Sequence, residues 1–287
     1  MSELPQPGQG RTAERFVALW DLAAGSPSTG RLGEAHHDGV AILREAGRVP
    51  PDGATFGVWA AGGPNPVVLE RGPAGLRLRG SKHWCSGASL VSHALITASE
   101  AGRSTSSLVC VEMATPGVTV CEPTWTSPAF AGVDTRTVAF DVALGDDAVV
   151  GTDDWYLRRP GFWWGAVGVA ACWAGCAAGL VDRARTRWPR DAHALAHLGA
   201  VTADLAAMRA VLADAATQID AAGPTDPDGH ARALQVRHTV DLLVADVTTR
   251  VARALGPGPL AHDDDLHLVL IETDLFRRQC HGERDLA

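Results

Sequence analysis

The chain has 287 residues, of which 46% are hydrophobic and 20% charged, and its formal net charge at pH 7 is −8. This length is enough for one large domain or two to three small ones with buried cores. The negative balance argues against a protein whose main task is to bind nucleic acid phosphates. Nine tryptophans accompany one tyrosine. Because indoles are costly to leave in water, we expect several of them to line an interface or a pocket.

Six cysteines occur without a CxxC pair, and the first residues lack the charged-then-apolar pattern of a signal peptide. We therefore expect reduced thiols and a cytoplasmic protein. The most apolar stretch, residues 161–181, is nearly long enough to cross a bilayer. Its many glycines and alanines and its three tryptophans fit a buried helix better, so we predict no membrane span.

In chain order, helical, strand-forming and helical patterns follow one another. Residues 1–54 contain two segments with apolar residues at helical spacing, and the second ends before two consecutive prolines. Residues 55–155 contain short aliphatic runs between Gly, Pro, Asp and Ser, which predicts antiparallel strands. Residues 156–287 return to helical patterns. The predicted fold class is therefore α+β multidomain, with a short N-terminal helical region, a middle antiparallel β-domain and a C-terminal four-helix bundle.

Several common motifs are absent or incomplete. The segment GLRLRGSK lacks the Gly-Lys step of a phosphate-binding loop, and the sequence has neither GxGxxG nor GxSxG. Three clusters contain residue types that bind metals: His193 and His197 near Asp191, the run HDDDLH at 262–267, and residues 36–38. None has a clear additional ligand, and acidic residues commonly begin helices. We predict no metal site.

The segment GSKHWCSG, residues 80–87, carries the most specific pattern. It resembles the strand G-x-K-x-W-I-T-[NS]-G of the acyl-CoA dehydrogenase family, with Cys for Ile and Ser for Thr. The segments TWTSPAFAGVDTRTVAFDVAL and GFWWGAVGVAACWAGCAAGLVDRART are similar to later family segments, in the family's order. The resemblance covers about residues 31–287 and rests on the order of several moderate motifs. The resemblance implies the same architecture that the hydrophobic periodicity predicts, namely a helical region, a β-domain and a helical bundle.

The resemblance also implies an FAD cofactor between the β-domain and the bundle. In this family the tryptophan packs against the flavin ring, and the hydroxyl two residues later bonds near flavin N5 and O4. The remaining implied contacts come from the segment VWAAGGPNP at 58–66, from the segment after the first bundle helix, and from a glycine loop. The implied cofactor-binding residues are Trp84, Cys85, Ser86, Trp59, Arg185, Arg187, Gly256 and Gly258.

The sequence departs from the family pattern at three of these contacts. The family's T-E-P-x-x-G-S-D becomes VWAAGGPNP, R-x-x-F-G becomes RTRWPRD, and the loop Q-x-x-G-G-x-G becomes RALGPGP. The family's catalytic base positions fall near Gln279 or Cys280 and near Gly165, which carry no acid. Removal of an α-proton needs a well-placed base. His281 and Glu283 are the nearest candidates, although their segment also fits a salt-bridged helix end.

Three functions remain open. The first is an FAD-dependent oxidoreductase that dehydrogenates an acyl substrate, possibly a CoA thioester. The second is a flavin-dependent monooxygenase on the same fold, which does not need the dehydrogenase glutamate. The third is a degenerate subunit that pairs with an active homologue. The family places FAD at a subunit boundary, so the resemblance implies a homodimer or homotetramer, or a hetero-oligomer with a homologue.

Overall fold

A computed structural model describes residues 3–63, 66–73, 75–223 and 225–281. Within these ranges the chain is of the α+β class, with one mixed sheet and eight α-helices. Its contacts form two compact units. The helical unit comprises residues 1–34 and 163–287, and the sheet unit comprises residues 35–162. The domain bounds expected from the sequence, at 54/55 and 155/156, stay a prediction.

The helices are numbered in chain order. Two of them, α2 and α4, cross the boundaries between the units, and α3 is a single turn. The helices are α1 (Thr12–Gly25), α2 (Pro27–Glu45), α3 (Trp155–Arg158), α4 (Pro160–Ala184), α5 (Ala192–Ala222), α6 (Gly229–Leu255), α7 (Pro257–His262) and α8 (Asp264–Arg277).

The eight strands all belong to one sheet. The strands are β1 (Phe56–Trp59), β2 (Val68–Gly72), β3 (Gly75–Cys85), β4 (His93–Glu100), β5 (Ser106–Glu112), β6 (Val118–Val120), β7 (Arg136–Leu144) and β8 (Val149–Gly151). Their order in the sheet is β6-β7-β3-β2-β4-β5-β8, and β1 pairs with β4 beside this path.

The expectation of an antiparallel sheet is wrong for two pairings, because β1 and β2 both run parallel to β4. Strand β1 pairs with the start of β4, and β2 pairs with its end. The chain leaves β1 and reaches β2 without reversing, so both strands lie one after the other along β4. The other strand pairs are antiparallel.

Alternation along β3 separates a core face from a polar face. Leu76 and Leu78 are buried in the main apolar cluster of the sheet, whereas Arg77 and Arg79 on the opposite face bond to the Asp141 carboxylate. These two guanidinium groups lower the pKa of Asp141 to about 2. The periodicity of two that the sequence shows in LRLR thus matches a strand with one buried face.

Glycines of α4 allow a close helix contact in the helical unit. A Cβ atom on Gly175 would lie 2.2 Å from the Trp20 carbonyl oxygen, and one on Gly179 equally close to that of Ala24. The backbone of α1 therefore lies directly on α4, which only glycine permits at these two positions. The apolar segment of α4 is accordingly a packing surface for another helix.

The two longest apolar helical segments differ in burial. Pro160–Arg187 and Ala192–Ala222 are both long and apolar enough to cross a membrane by length and composition alone. Burial covers 83% of the most apolar window in the first segment, but only 22% of that in the second. Helix α5 therefore buries its larger apolar side chains, among them Val201, Met208 and Ile219, and exposes mainly small and polar ones.

Candidate functional site

The end of β3 presents a tryptophan to solvent through a backbone irregularity. The register between β3 and β7 shifts between Lys82 and Cys85, where β3 contains one extra residue. Trp84 lies in this bulge with a φ of 62°, a left-handed conformation that costs free energy for a bulky residue. Its side chain is 64% exposed. Strained, exposed aromatic residues are uncommon in packing roles, so this geometry marks a candidate binding surface.

The side chain of Cys85 is buried, in contrast to the exposed side chain of Trp84. Its thiol is fully buried in the main apolar cluster of the sheet and donates a hydrogen bond to the Lys82 carbonyl oxygen at 3.2 Å. Burial raises the pKa of this thiol to about 12. The side chain therefore belongs to the sheet core and leaves the surface at this point to its neighbours on either side.

Ser86 follows the exposed indole by two residues along the chain and is 8% exposed. Its Oγ lies 3.2 Å from Thr135 Oγ1, and either hydroxyl can be the donor in this pair. The Ser86 carbonyl oxygen accepts a hydrogen bond from the indole nitrogen of Trp59 at 3.1 Å. Trp59 is itself only 3% exposed. It therefore contacts the site from the core side and fixes the backbone at Ser86.

The segment that follows Ser86 is tied to the turn before β7. The backbone N–H of Gly87 donates to the Val133 carbonyl oxygen at 2.8 Å. The carboxylate of Asp134 accepts from the Ser89 backbone N–H at 2.9 Å and from Arg136 at 2.5 Å. Burial raises the pKa of Asp134, but the bonds from Arg136 and Ser89 outweigh this and hold it below its usual range.

We refer to Trp84, Ser86, Asp134 and Thr135 as the Trp84 site. Its elements are a flat exposed indole, a pair of hydroxyl groups, and an ion-paired carboxylate that holds the surrounding turn. Such a surface can take a planar aromatic ligand on the indole and a hydrogen-bonding ligand edge on the hydroxyls.

Lys82 supports this site from inside the sheet. Its side chain is 6% exposed, and its ammonium group donates to the Thr97 carbonyl oxygen at 3.0 Å and to Thr97 Oγ1 at 2.8 Å. Thr97 Oγ1 in turn donates to the Ala60 carbonyl oxygen. Burial lowers the pKa of Lys82. The lysine thus connects the start of the bulge to β4 and to the segment after β1.

Trp125 is a neighbour of Trp84 that the sequence analysis did not single out. The two indole rings have centroids 6.3 Å apart and an interplanar angle of 89°. The indole nitrogen of Trp125 donates to the Ala129 carbonyl oxygen at 2.8 Å. Its presence in the segment TWTSPAFAGVDTR, which resembles a family segment, was the available signal. Asp134 and Thr135 lie in the same segment and were also missed.

The cofactor contacts expected in the helical unit form a second group, which we call the Arg187 region (residues 185–187 and 256–263). Arg187 is ion-paired with Asp263, and Arg185 with Asp182. Gly256 ends α6 with a φ of 69°, and Gly258 has open space where a side chain would be. The structure therefore brings Arg187 next to the segment that begins with the two glycines, with the arginines already paired to acids.

The two candidate bases lie at the C-terminal end. His281 is exposed and follows α8, and Glu283 lies outside the described residues. The structure thus leaves both as predictions.

In two of the three clusters considered above, an aspartate caps a helix. Asp191 accepts hydrogen bonds from the backbone N–H groups of His193 and Ala194, which caps the start of α5. Asp263 accepts from the Leu266 N–H and caps α8 in the same way. Such caps satisfy N–H groups that a helix leaves unpaired. No group of three or more His, Cys, Asp or Glu side chains suited to a metal occurs among the described residues.

Comparison with known proteins finds similarity at the level of structure. No family sequence profile matches the chain, and no curated protein resembles its sequence significantly. Many solved structures match, among them three that are similar over almost the whole chain. KijD3, solved in complex with FMN and a dTDP-sugar, has a TM-score of 0.83 and 21% identity, and the match covers 95% of this chain and 76% of KijD3.

Two further similar structures are enzymes from named bacteria. Dibenzothiophene monooxygenase TdsC from Paenibacillus sp. A11-2 has a TM-score of 0.83 and 18% identity, with coverage of 96% of this chain and 81% of TdsC. A nitrososynthase from Micromonospora carbonacea var. africana has a TM-score of 0.82 and 19% identity, with coverage of 96% and 80%.

These identities establish a shared fold. The chain shares the fold of these three structures, which is acyl-CoA dehydrogenase-like. The fold expected from the sequence resemblance is therefore confirmed at this level, while membership of the acyl-CoA dehydrogenase family itself is not shown.

Proposed function

We propose that the chain is a flavin-dependent oxidoreductase whose flavin ring packs against Trp84. The observation that carries the proposal is the exposed indole at position 84, held at a φ of 62° beside a pair of hydroxyl groups. Folding alone gives no reason to keep a bulky residue in this conformation, whereas a planar cofactor would make use of it. The shared fold with FMN-bound KijD3 supports the same assignment.

The proposed flavin is FMN rather than the FAD implied by the family resemblance. The ring-contacting segment GSKHWCSG is retained, but the motifs for the pyrophosphate and for the glycine loop are altered. Arg185 and Arg187 are each paired with an aspartate. FMN lacks the adenylate half that these motifs hold in the family. TdsC has also been solved with FMN bound, which supports this choice.

The residues of the Trp84 site would act as binding and orienting groups. Trp84 would provide a flat wall, and the hydroxyl pair of Ser86 and Thr135 would supply a donor to the polar edge of the ring. Trp59 and Asp134 would keep the backbone around Ser86 in place. Bound reduced flavin would supply two electrons to dioxygen, so that one oxygen atom enters the substrate and the other leaves as water.

A monooxygenase reaction fits the site better than α,β-dehydrogenation of an acyl thioester. Dehydrogenation needs a carboxylate free to remove a proton. Asp134, the acid of the Trp84 site, is bound to Arg136 and to a backbone N–H. A monooxygenase does not need that base, and TdsC, which shares the fold, is a monooxygenase. The substrate is proposed to be a small molecule, with an acyl-CoA as the alternative.

We further propose that the protein self-associates in the cytoplasm. The family resemblance implies a cofactor at a subunit boundary, and only 22% of the most apolar window of α5 is buried within the chain. The six cysteines lie among the described residues and none forms a disulfide, which fits a reducing compartment. Light scattering of the purified protein is expected to give a homodimer or homotetramer, and a monomer would contradict this part of the proposal.

Flavin titration tests the proposed function directly. FMN and FAD are added separately to the purified protein, and visible absorbance and quenching of tryptophan fluorescence report binding. FMN is expected to bind more tightly than FAD. If neither flavin binds, the enzymatic proposal is overturned, and a role as a non-catalytic partner subunit is favoured.

The reaction type is tested with the bound flavin. Flavin reduced by light is mixed with oxygenated buffer and a panel of small aromatic and sulfur compounds, and oxygenated products are measured by mass spectrometry. In parallel, oxidised flavin is mixed with acyl-CoAs without oxygen. Oxygenated product supports the monooxygenase, whereas bleaching by an acyl-CoA would show that the enzyme is a dehydrogenase.

A further inference from the structure

The exposed side chain of Trp84 needs a neighbour to hold it in one orientation. Its indole is 64% exposed, so its own backbone bulge fixes where the side chain begins but not how the ring is turned. A ring that samples several rotamers must be ordered when a ligand stacks on it, and this ordering weakens binding.

Trp125 is placed to supply that orientation. The rings meet at 89° with centroids 6.3 Å apart, the perpendicular arrangement that aromatic pairs favour. Trp125 is half-buried and is tied at its indole nitrogen to the carbonyl oxygen of Ala129, which is 2% exposed. The Ala129 N–H in turn donates to Ser127 Oγ. One ring of the pair is thus anchored to the protein, and the other is open to a ligand.

We propose that Trp125 is a positioning residue that holds the Trp84 indole in the orientation needed to stack on a flavin ring. The inference rests on the proposed function, because Trp84 is taken to be the ring-contacting residue. It assigns a role to the segment between β6 and β7. Trp125 acts through Trp84 and makes no contact of its own with the flavin in this proposal.

A double-mutant cycle with FMN as the probe distinguishes action through Trp84 from direct contact. Loss of the stacking wall in Trp84→Ala is expected to weaken FMN binding about tenfold. Trp125→Leu is expected to weaken FMN binding about threefold, because the Trp84 ring is then no longer held in one orientation. Adding Trp125→Leu to Trp84→Ala is expected to cause no further loss. An additional threefold loss in the double variant would overturn the proposal.

A spectroscopic measurement on the flavin-free protein tests the orientation itself. Two indoles at this distance and angle couple and give a paired band in the ultraviolet circular dichroism spectrum. The same band is expected to disappear in Trp84→Ala and in Trp125→Leu. If Trp125→Leu leaves the spectrum unchanged, the two rings do not hold one orientation in solution, and the proposal is wrong.

Matched variants separate this role from general damage. Trp155→Leu removes another half-buried indole of the sheet unit, which packs against a different apolar cluster, and is expected to leave both FMN affinity and the paired band intact. Trp125→Phe retains an aromatic ring and is expected to bind FMN more tightly than Trp125→Leu. Equal losses in Trp155→Leu and Trp125→Leu would overturn the positioning role. Failure of the wild-type protein to bind FMN would instead overturn the proposed function.

Discussion

The Trp84 site and the Arg187 region differ in what their side chains have already bonded to. At the Trp84 site the indole is open to solvent and its backbone is held in an unfavourable conformation. In the Arg187 region the charged groups are satisfied by aspartates of the same chain. A residue at a family motif position is therefore informative only together with the partners of its side chain. The exposed indole favours ligand binding at the Trp84 site, and the ion pairs favour a structural role for the Arg187 region.

The largest expected effect comes from removing the support beneath the Trp84 site. Trp59→Ala should lower the free energy of unfolding by about 3–5 kcal/mol, because it deletes a buried indole and leaves a cavity. The Ser86 carbonyl oxygen also loses its donor. Urea unfolding measures the loss. A change in the free energy of unfolding below about 1 kcal/mol would mean that Trp59 is not part of the sheet core. The Trp84 site would then lack the support that distinguishes it from the Arg187 region.

A substitution at position 84 should separate binding from stability. Asparagine tolerates a left-handed backbone better than tryptophan does. Trp84→Asn is therefore expected to leave the free energy of unfolding unchanged within about 0.5 kcal/mol, or to raise it. FMN affinity should fall about tenfold because the stacking wall is gone. Urea unfolding and FMN titration on the same preparation check both. A large loss of stability would show that the indole serves packing instead.

Removal of the Arg187 side chain should have a smaller effect. Arg187→Ala breaks an ion pair with Asp263 that is partly exposed, so the free energy of unfolding should fall by about 1 kcal/mol or less. FMN affinity should stay within twofold of wild type, since no contact to FMN is proposed there. Titration with FAD is the control. If FAD binds more tightly than FMN and Arg187→Ala abolishes the difference, the Arg187 region binds cofactor and the comparison is wrong.

The smallest effect is a pH dependence centred on Asp134. Its pKa is lower in the folded protein than in the unfolded chain. Its carboxylate therefore contributes stability that is fully present above the unfolded-state pKa and is lost as the pH falls through the folded-state pKa. Asp134→Asn should be less stable than wild type at neutral pH, and the difference should shrink in acid. Thermal unfolding between pH 3 and 7 checks this, and a difference that grows in acid would contradict it.

The order of helical and strand-forming segments was predictable because periodicity reflects burial. The alternation of LRLR follows a strand with one buried face, and the glycines and alanines of α4 follow from contact with α1. Parallel pairing of β1 and β2 with β4 was not predictable. It depends on where the chain travels between the two strands, which no local pattern encodes.

The candidate site was predictable only in part. Strict alternation from Leu76 and Leu78 would place Trp84 on the core face and Cys85 outside, and the extra residue in the bulge reverses this. The family resemblance singled out Trp84, which lies at the surface, but it gave no reason to separate the buried Cys85 from its neighbours. Trp125 could not be found from spacing, since it lies 41 residues away and joins the site through a turn.

The discontinuous helical unit has a consequence for synthesis on the ribosome. Helix α1 lies against glycines of α4, and Gly175 is translated 155 residues after its contact residue Trp20. The sheet unit in between is complete before that contact can form. The apolar face of α1 therefore stays without its packing partner until α4 has been translated. A nascent chain stalled before α4 should be the form that chaperones bind most readily.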